Sequence, residues 1–94
     1  MDLITLDFET YYDTKYSLAK ITTEEYIRNP LYETIGVAVK QNDGVAEWCS
    51  GTHAEIQAFL DKFNMGGCSV LAHNTMFDAA ILSWVYKIRP KFLV

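Results

Sequence analysis

Two acidic residues sit inside the first apolar run of the chain, Leu3-Ile4-Thr5-Leu6-Asp7-Phe8-Glu9-Thr10. A strand turns successive side chains to opposite faces, so Ile4, Leu6 and Phe8 point one way and Thr5, Asp7 and Glu9 the other. Two carboxylates on one face of a strand that must pack repel each other and lose hydration. The natural compensator is a divalent cation, which takes oxygen ligands. A second chemistry-bearing segment lies far downstream, Val70-Leu71-Ala72-His73-Asn74-Thr75-Met76-Phe77-Asp78. There a strand-like run ends in His-Asn and a helical pattern begins at once, with Asn74 or Thr75 as N-cap. Asp78, Ile81, Leu82 and Val85 follow the i, i+3, i+4, i+7 spacing, which puts an acid on the stripe that faces the sheet.

The elements that must position these acids are legible from pattern. Residues 2–9 read as a strand. Thr22-Thr23-Glu24-Glu25 has the capping-box form and predicts a short helix over about 23–29, stopped at Pro30. Thr34 to Lys40 alternates, Asn42-Asp43-Gly44 is a turn signal and Val45 to Cys49 returns, which together predict a hairpin. Thr52-His53-Ala54-Glu55 is a second capping box and opens an amphipathic helix over about 53–64, ended by Gly66-Gly67. Ser69 to Ala72 reads as a short strand, 75–88 as a helix apolar nearly all round, and Phe92-Leu93-Val94 as the start of another strand. The order β, α, β, β, α, β, α, β implies an α/β fold with a mixed sheet, a hairpin followed by helix-linked parallel strands. The strand at 2–9 is then central, and the end of the strand at 69–72 delivers Asp78 close to Asp7 and Glu9.

At 94 residues the chain is one domain at most, and a composition that is 50% hydrophobic and 14% aromatic excludes a disordered chain. A net charge of −4 argues against a general basic surface for nucleic acid. It does not argue against a nucleic-acid enzyme, because acids gathered around metals meet a phosphate backbone through those metals. Lys87, Arg89 and Lys91 read first as a solvated helix end. Cys49 and Cys68 have no metal-like spacing and read as ordinary buried or half-buried thiols. The opening apolar run is short, is cut by Asp7 and lacks a basic flank, so no membrane partner is expected and the expected location is cytoplasmic.

Asp7-Phe8-Glu9-Thr10 and His73-Asn74-Thr75-Met76-Phe77-Asp78 together resemble the first two motifs of the DEDD 3′-5′ exonucleases, which have a ribonuclease-H-like fold. Tyr11-Tyr12-Asp13 and Thr22-Thr23-Glu24-Glu25-Tyr26-Ile27 resemble, more narrowly, the proofreading domains of bacteriophage DNA polymerases. The resemblance implies that residues 1–94 are the N-terminal part of one exonuclease domain, C-terminally incomplete, because a fourth acid and its water-orienting Tyr or His have no counterpart. It implies hydrolysis of single-stranded DNA 3′ ends with two Mg²⁺ or Mn²⁺ ions. Asp7 then bridges both ions, Glu9 holds the ion near the attacking water, and Asp78 reaches the second ion.

Blander readings stand beside these. Asp78 alone is a first-turn acid favoured by the helix dipole. Asn74 reads as an N-cap, a nucleotide contact or both, and His73 as structural. Phe8, Thr10 and Phe77 border the acids where a terminal nucleotide would bind, although both Phe side chains also suit a core. Tyr11, Tyr12 and Tyr16 suit a half-buried aromatic loop or a single-strand groove. The competing functions are a catalytically silent interaction module and a ribonuclease-H-like endonuclease, the latter disfavoured by the acidic balance. The expected protein partners are the remainder of a polymerase chain, or a second copy docked on the apolar helix that carries Phe77, Ile81, Leu82, Trp84 and Val85.

Overall fold

The structure, a computed structural model, describes residues 2–94. Five strands form a mixed sheet in the order β3-β2-β1-β4-β5, with β1 at Leu3–Thr10, β2 at Thr34–Gln41, β3 at Glu47–Ser50, β4 at Ser69–Ala72 and β5 at Phe92–Leu93. β1 is central, antiparallel to β2 and parallel to β4. The hairpin β2-β3 turns through Asn42 in the left-handed region, φ 53°, and the Gly44 N–H closes it on the Gln41 carbonyl at 3.0 Å. Asn42 also accepts the Leu3 N–H at 2.9 Å, which ties the turn to the start of β1.

Three helices connect the strands: α1 at Thr23–Arg28, α2 at His53–Asp61 and α3 at Thr75–Ala80. Both capping boxes form. Thr22 and Glu25 exchange side-chain and backbone bonds at the start of α1, and Thr52 and Glu55 do the same at α2. Two helix ends depart from the expected limits. α2 stops at Asp61 rather than near 64, because the N–H groups of Lys62 and Phe63 tighten onto carbonyls three residues back. Asn64, φ 48°, takes the left-handed stop expected of the glycines that follow. α3 is not regular to residue 88: a π turn over Ile81–Val85 continues it, closed by the Tyr86 N–H on the Ile81 carbonyl at 3.3 Å. Lys87, φ 58°, then ends the helix. This wide turn delivers Tyr86 into the core, stacked on Phe8 with ring centroids 5.7 Å apart.

Ile4, Leu6, Phe8, Val37, Val39 and Val70 face the helices and pack against Ile56, Leu60, Ile81, Leu82 and Tyr86. The opposite sheet face is bare. On it Thr5, Asp7 and Glu9 share the surface with Lys40, Trp48, Leu71 and Phe92, the last three exposed. The unpartnered apolar surface thus lies mainly on this face rather than on α3. In α3 and its continuation Phe77, Ile81 and Leu82 are buried, and the Arg28 guanidinium covers Trp84 at 5.2 Å.

Trp48 lies across Gly36 of the neighbouring strand, and a β-carbon at Gly36 would come within 2.4 Å of its ring and 2.8 Å of the Cys49 carbonyl. Gly36→Ala is therefore expected to cost about 1–3 kcal/mol, read from the urea midpoint. Adding Trp48→Ala should restore only part of the loss, because the carbonyl contact is backbone.

Candidate functional site

The site is built where β4 leaves the sheet. Even-numbered residues of β1 present their backbone groups to β4, with the Asp2 carbonyl taking the Ser69 N–H and the Leu6 carbonyl taking the His73 N–H. Pairing stops at Leu6 with Ala72, and the next donor on that edge is the Phe8 N–H. Asp78 satisfies it: Oδ1 accepts the Phe8 N–H at 3.2 Å. Oδ2 accepts the Asn74 N–H at 2.9 Å. Asn74 in turn caps α3, its Oδ1 accepting the Phe77 N–H at 3.4 Å. One carboxylate therefore holds the strand end and the helix start together.

Asp78 is 1% exposed, the buried charged residue of the core. Burial pushes its pKa above the ordinary 3.8, the two backbone N–H groups oppose that shift, and the nearby charge of Asp7 adds to it while His73 reduces it. Through the Phe8 N–H, Asp78 is held one residue along β1 from Asp7, although the two lie far apart in sequence. Asp7 is half-buried and Glu9 exposed, both on the bare face. Among the described residues no three His, Cys, Asp or Glu side chains form a preassembled metal cluster.

The other expected site residues flank the strand end. Phe8 points into the core and Phe77 packs edge-on against Tyr26 at 5.5 Å. Thr10 Oγ1 lies 2.9 Å from the Tyr26 hydroxyl. Of the tyrosines after β1, Tyr16 is buried, its hydroxyl donating to the Tyr26 carbonyl, and burial raises its pKa to about 12. Tyr12 remains exposed. The sequence reading did not single out Tyr26, whose ring joins Tyr16 at 4.3 Å and Phe77 into one aromatic wall. The available signal was its place on the buried face of α1. Two larger clefts, of ≈ 350 and ≈ 390 Å³, open beside His53 and beside Arg89, and neither touches Asp7, Glu9 or Asp78. No family model, curated protein or solved structure matches the chain.

Asp78→Asn is expected to lower stability by about 1–3 kcal/mol, because the amide nitrogen must face a backbone N–H. Asp7→Asn should be neutral or stabilising, since it relieves like-charge repulsion. The folded pKa of Asp78 lies above 3.8, so its proton-linked stability is full below that value and is lost as pH rises through the folded pKa. The margin of the wild type over Asp78→Asn, read from urea midpoints, should accordingly shrink as pH rises from the acid end; a margin that grows over that window would contradict the assignment.

Proposed function

We propose that the chain is the leading part of a metal-dependent 3′-5′ exonuclease domain of the DEDD type, a proofreading domain of a phage-type DNA polymerase acting on single-stranded DNA 3′ ends. The observation that carries this reading is that the Asp78 carboxylate accepts the Phe8 N–H, between Asp7 and Glu9 towards the C-terminal end of the central strand. Hairpin strands on one side of β1 and parallel strands on the other support a ribonuclease-H-like arrangement of the sheet.

The donor set consists of hard carboxylate oxygens, which suit Mg²⁺ or Mn²⁺ and no soft metal. Asp7 and Glu9, on the bare face, are the residues that would hold such ions. Both oxygens of Asp78 already accept backbone N–H groups, so its part would be to carry negative charge at a fixed position and to reach a bound ion through that ion's water shell. When bound, two such ions supply an activated water and charge stabilisation at the leaving 3′ oxygen. Asn74, which caps α3, keeps Asp78 in register with the strand end.

A catalytically silent interaction module is the second reading. The double engagement of Asp78 favours it, because a carboxylate committed to two backbone donors has a complete structural role.

Titration calorimetry should show Mn²⁺ binding that Asp7→Asn abolishes and Asp78→Asn only weakens. With Mn²⁺ the chain should release mononucleotides from 3′-labelled single-stranded DNA, and Asp7→Asn should reduce the rate by at least about a hundredfold. Mn²⁺ binding without cleavage would select the silent module.

A further inference from the structure

β3 is an edge of the sheet, with β2 on one side and no strand on the other. The hydrogen-bonding phase of the sheet decides which of its backbone groups are left over. The Leu3 carbonyl accepts the Asn42 N–H at 2.7 Å, so odd-numbered residues of β1 bond even-numbered residues of β2. The odd-numbered Val37 and Val39 then bond Cys49 and Glu47 across the next ladder. The Cys49 carbonyl agrees, since it lies 2.8 Å from where a β-carbon on Gly36 would stand. That leaves the N–H and C=O groups of Trp48 and Ser50 turned outward, without a backbone partner among the described residues. The Cys49 thiol, at 3.9 Å, is the group that approaches the Ser50 carbonyl.

Open edges are usually blunted by lysine, proline or a bulge. β3 has none of these, and its one charge is Glu47. Trp48 and the preceding Val45 are 53% and 88% exposed. The Trp48 indole leans inward over Gly36 of β2, so it does not shield the outer edge.

Symmetry limits how a second copy can add to this edge. A two-fold axis normal to the sheet sets two β3 strands antiparallel and keeps bare face beside bare face. Opposed residues must then share a face, which allows a register centred on Trp48 or one centred on Cys49. Centring on Trp48 sets the two Trp48 residues against each other and leaves Ser50 opposite Ala46, outside the strand. Centring on Cys49 sets each Trp48 against the other copy's Ser50, so the outward groups of both strands are all used in doubly bonded pairs. It also places each Glu47 opposite Gly51 and far from the other Glu47, which matters between chains of net charge −4. The strand is therefore self-complementary about Cys49.

We propose that the chain self-associates through β3, two copies joining edge to edge about a two-fold axis at Cys49 so that their five-stranded sheets become one. This contact is not the apolar helix expected from the sequence, and it is independent of the exonuclease reading. Both bare faces, each with its Asp7 and Glu9, then look the same way, with the two β1 strands about 24 Å apart at ~4.8 Å per strand. The pairing is short and buries less than the ~1,200 Å² of standard interfaces, so the dimer is weak and forms with rising concentration.

Sedimentation equilibrium of the full chain should show the weight-average mass rising from one chain toward two between about 10 and 500 µM. Ser50→Pro removes an outward N–H and leaves the β2 ladder intact, and it should weaken association at least about tenfold, with circular dichroism checking the fold. Centring on Cys49 also brings the two Cys49 α-carbons to about 4.5 Å, within disulfide reach. Oxidation of the wild-type chain with copper phenanthroline should therefore link Cys49 to Cys49, while the buried Cys68 stays free. A chain that is monomeric throughout overturns the proposal. A dimer that yields no Cys49 linkage, or that folded Ser50→Pro leaves intact, overturns it too and places the second copy on another surface.

Discussion

Everything around the candidate site depends on how one backbone donor, the Phe8 N–H, is satisfied. β1 continues beyond the last residue of β4, so its edge would carry an unpaired N–H into the core, at a cost of about 1–3 kcal/mol. The Asp78 carboxylate fills that place in the ladder and uses its second oxygen to close the start of α3. A strand and a helix that are remote in sequence are thereby fixed to each other through one side chain. The same contact sets the electrostatics: a buried carboxylate is held beside Asp7, and its raised pKa records both the burial and that neighbour.

The geometry also explains how acids from two layers of the fold meet. Asp7 and Glu9 project from the face of the sheet that carries no helix, whereas Asp78 belongs to a helix packed on the other face. β4 ends at Ala72 while β1 runs on to Thr10, and there the Asp78 carboxylate bonds the Phe8 N–H, the backbone group that directly follows Asp7.

Local signals made much of this legible in the sequence. Alternation placed Asp7 and Glu9 together, threonine three residues before glutamate located both capped helices, and Asn42-Asp43-Gly44 marked the hairpin. The helical phase of Asp78 with Ile81 and Leu82 revealed its burial. What escaped depended on tertiary facts. The clasp on Phe8 needs the stopping point of β4, which nothing near Asp78 states. The end of α2 moved because the Lys62 and Phe63 N–H groups tighten onto carbonyls three residues back, before Asn64 takes the left-handed conformation. The π turn after Ala80 serves to seat Tyr86 against Phe8, a contact between residues at opposite ends of the chain. Tyr16 looked like its surface neighbours in composition but is the anchor of its segment.

Anomalous diffraction from crystals equilibrated with Mn²⁺ is the direct test of the proposal that the end of β1 is a metal-dependent catalytic centre. A manganese peak bounded by carboxylate oxygens of Asp7 and Glu9, with Asp78 linked through water, is the expected result. A structure in which manganese orders elsewhere, or nowhere, while Asp78 keeps both backbone bonds would contradict it and leave the acids as structural groups.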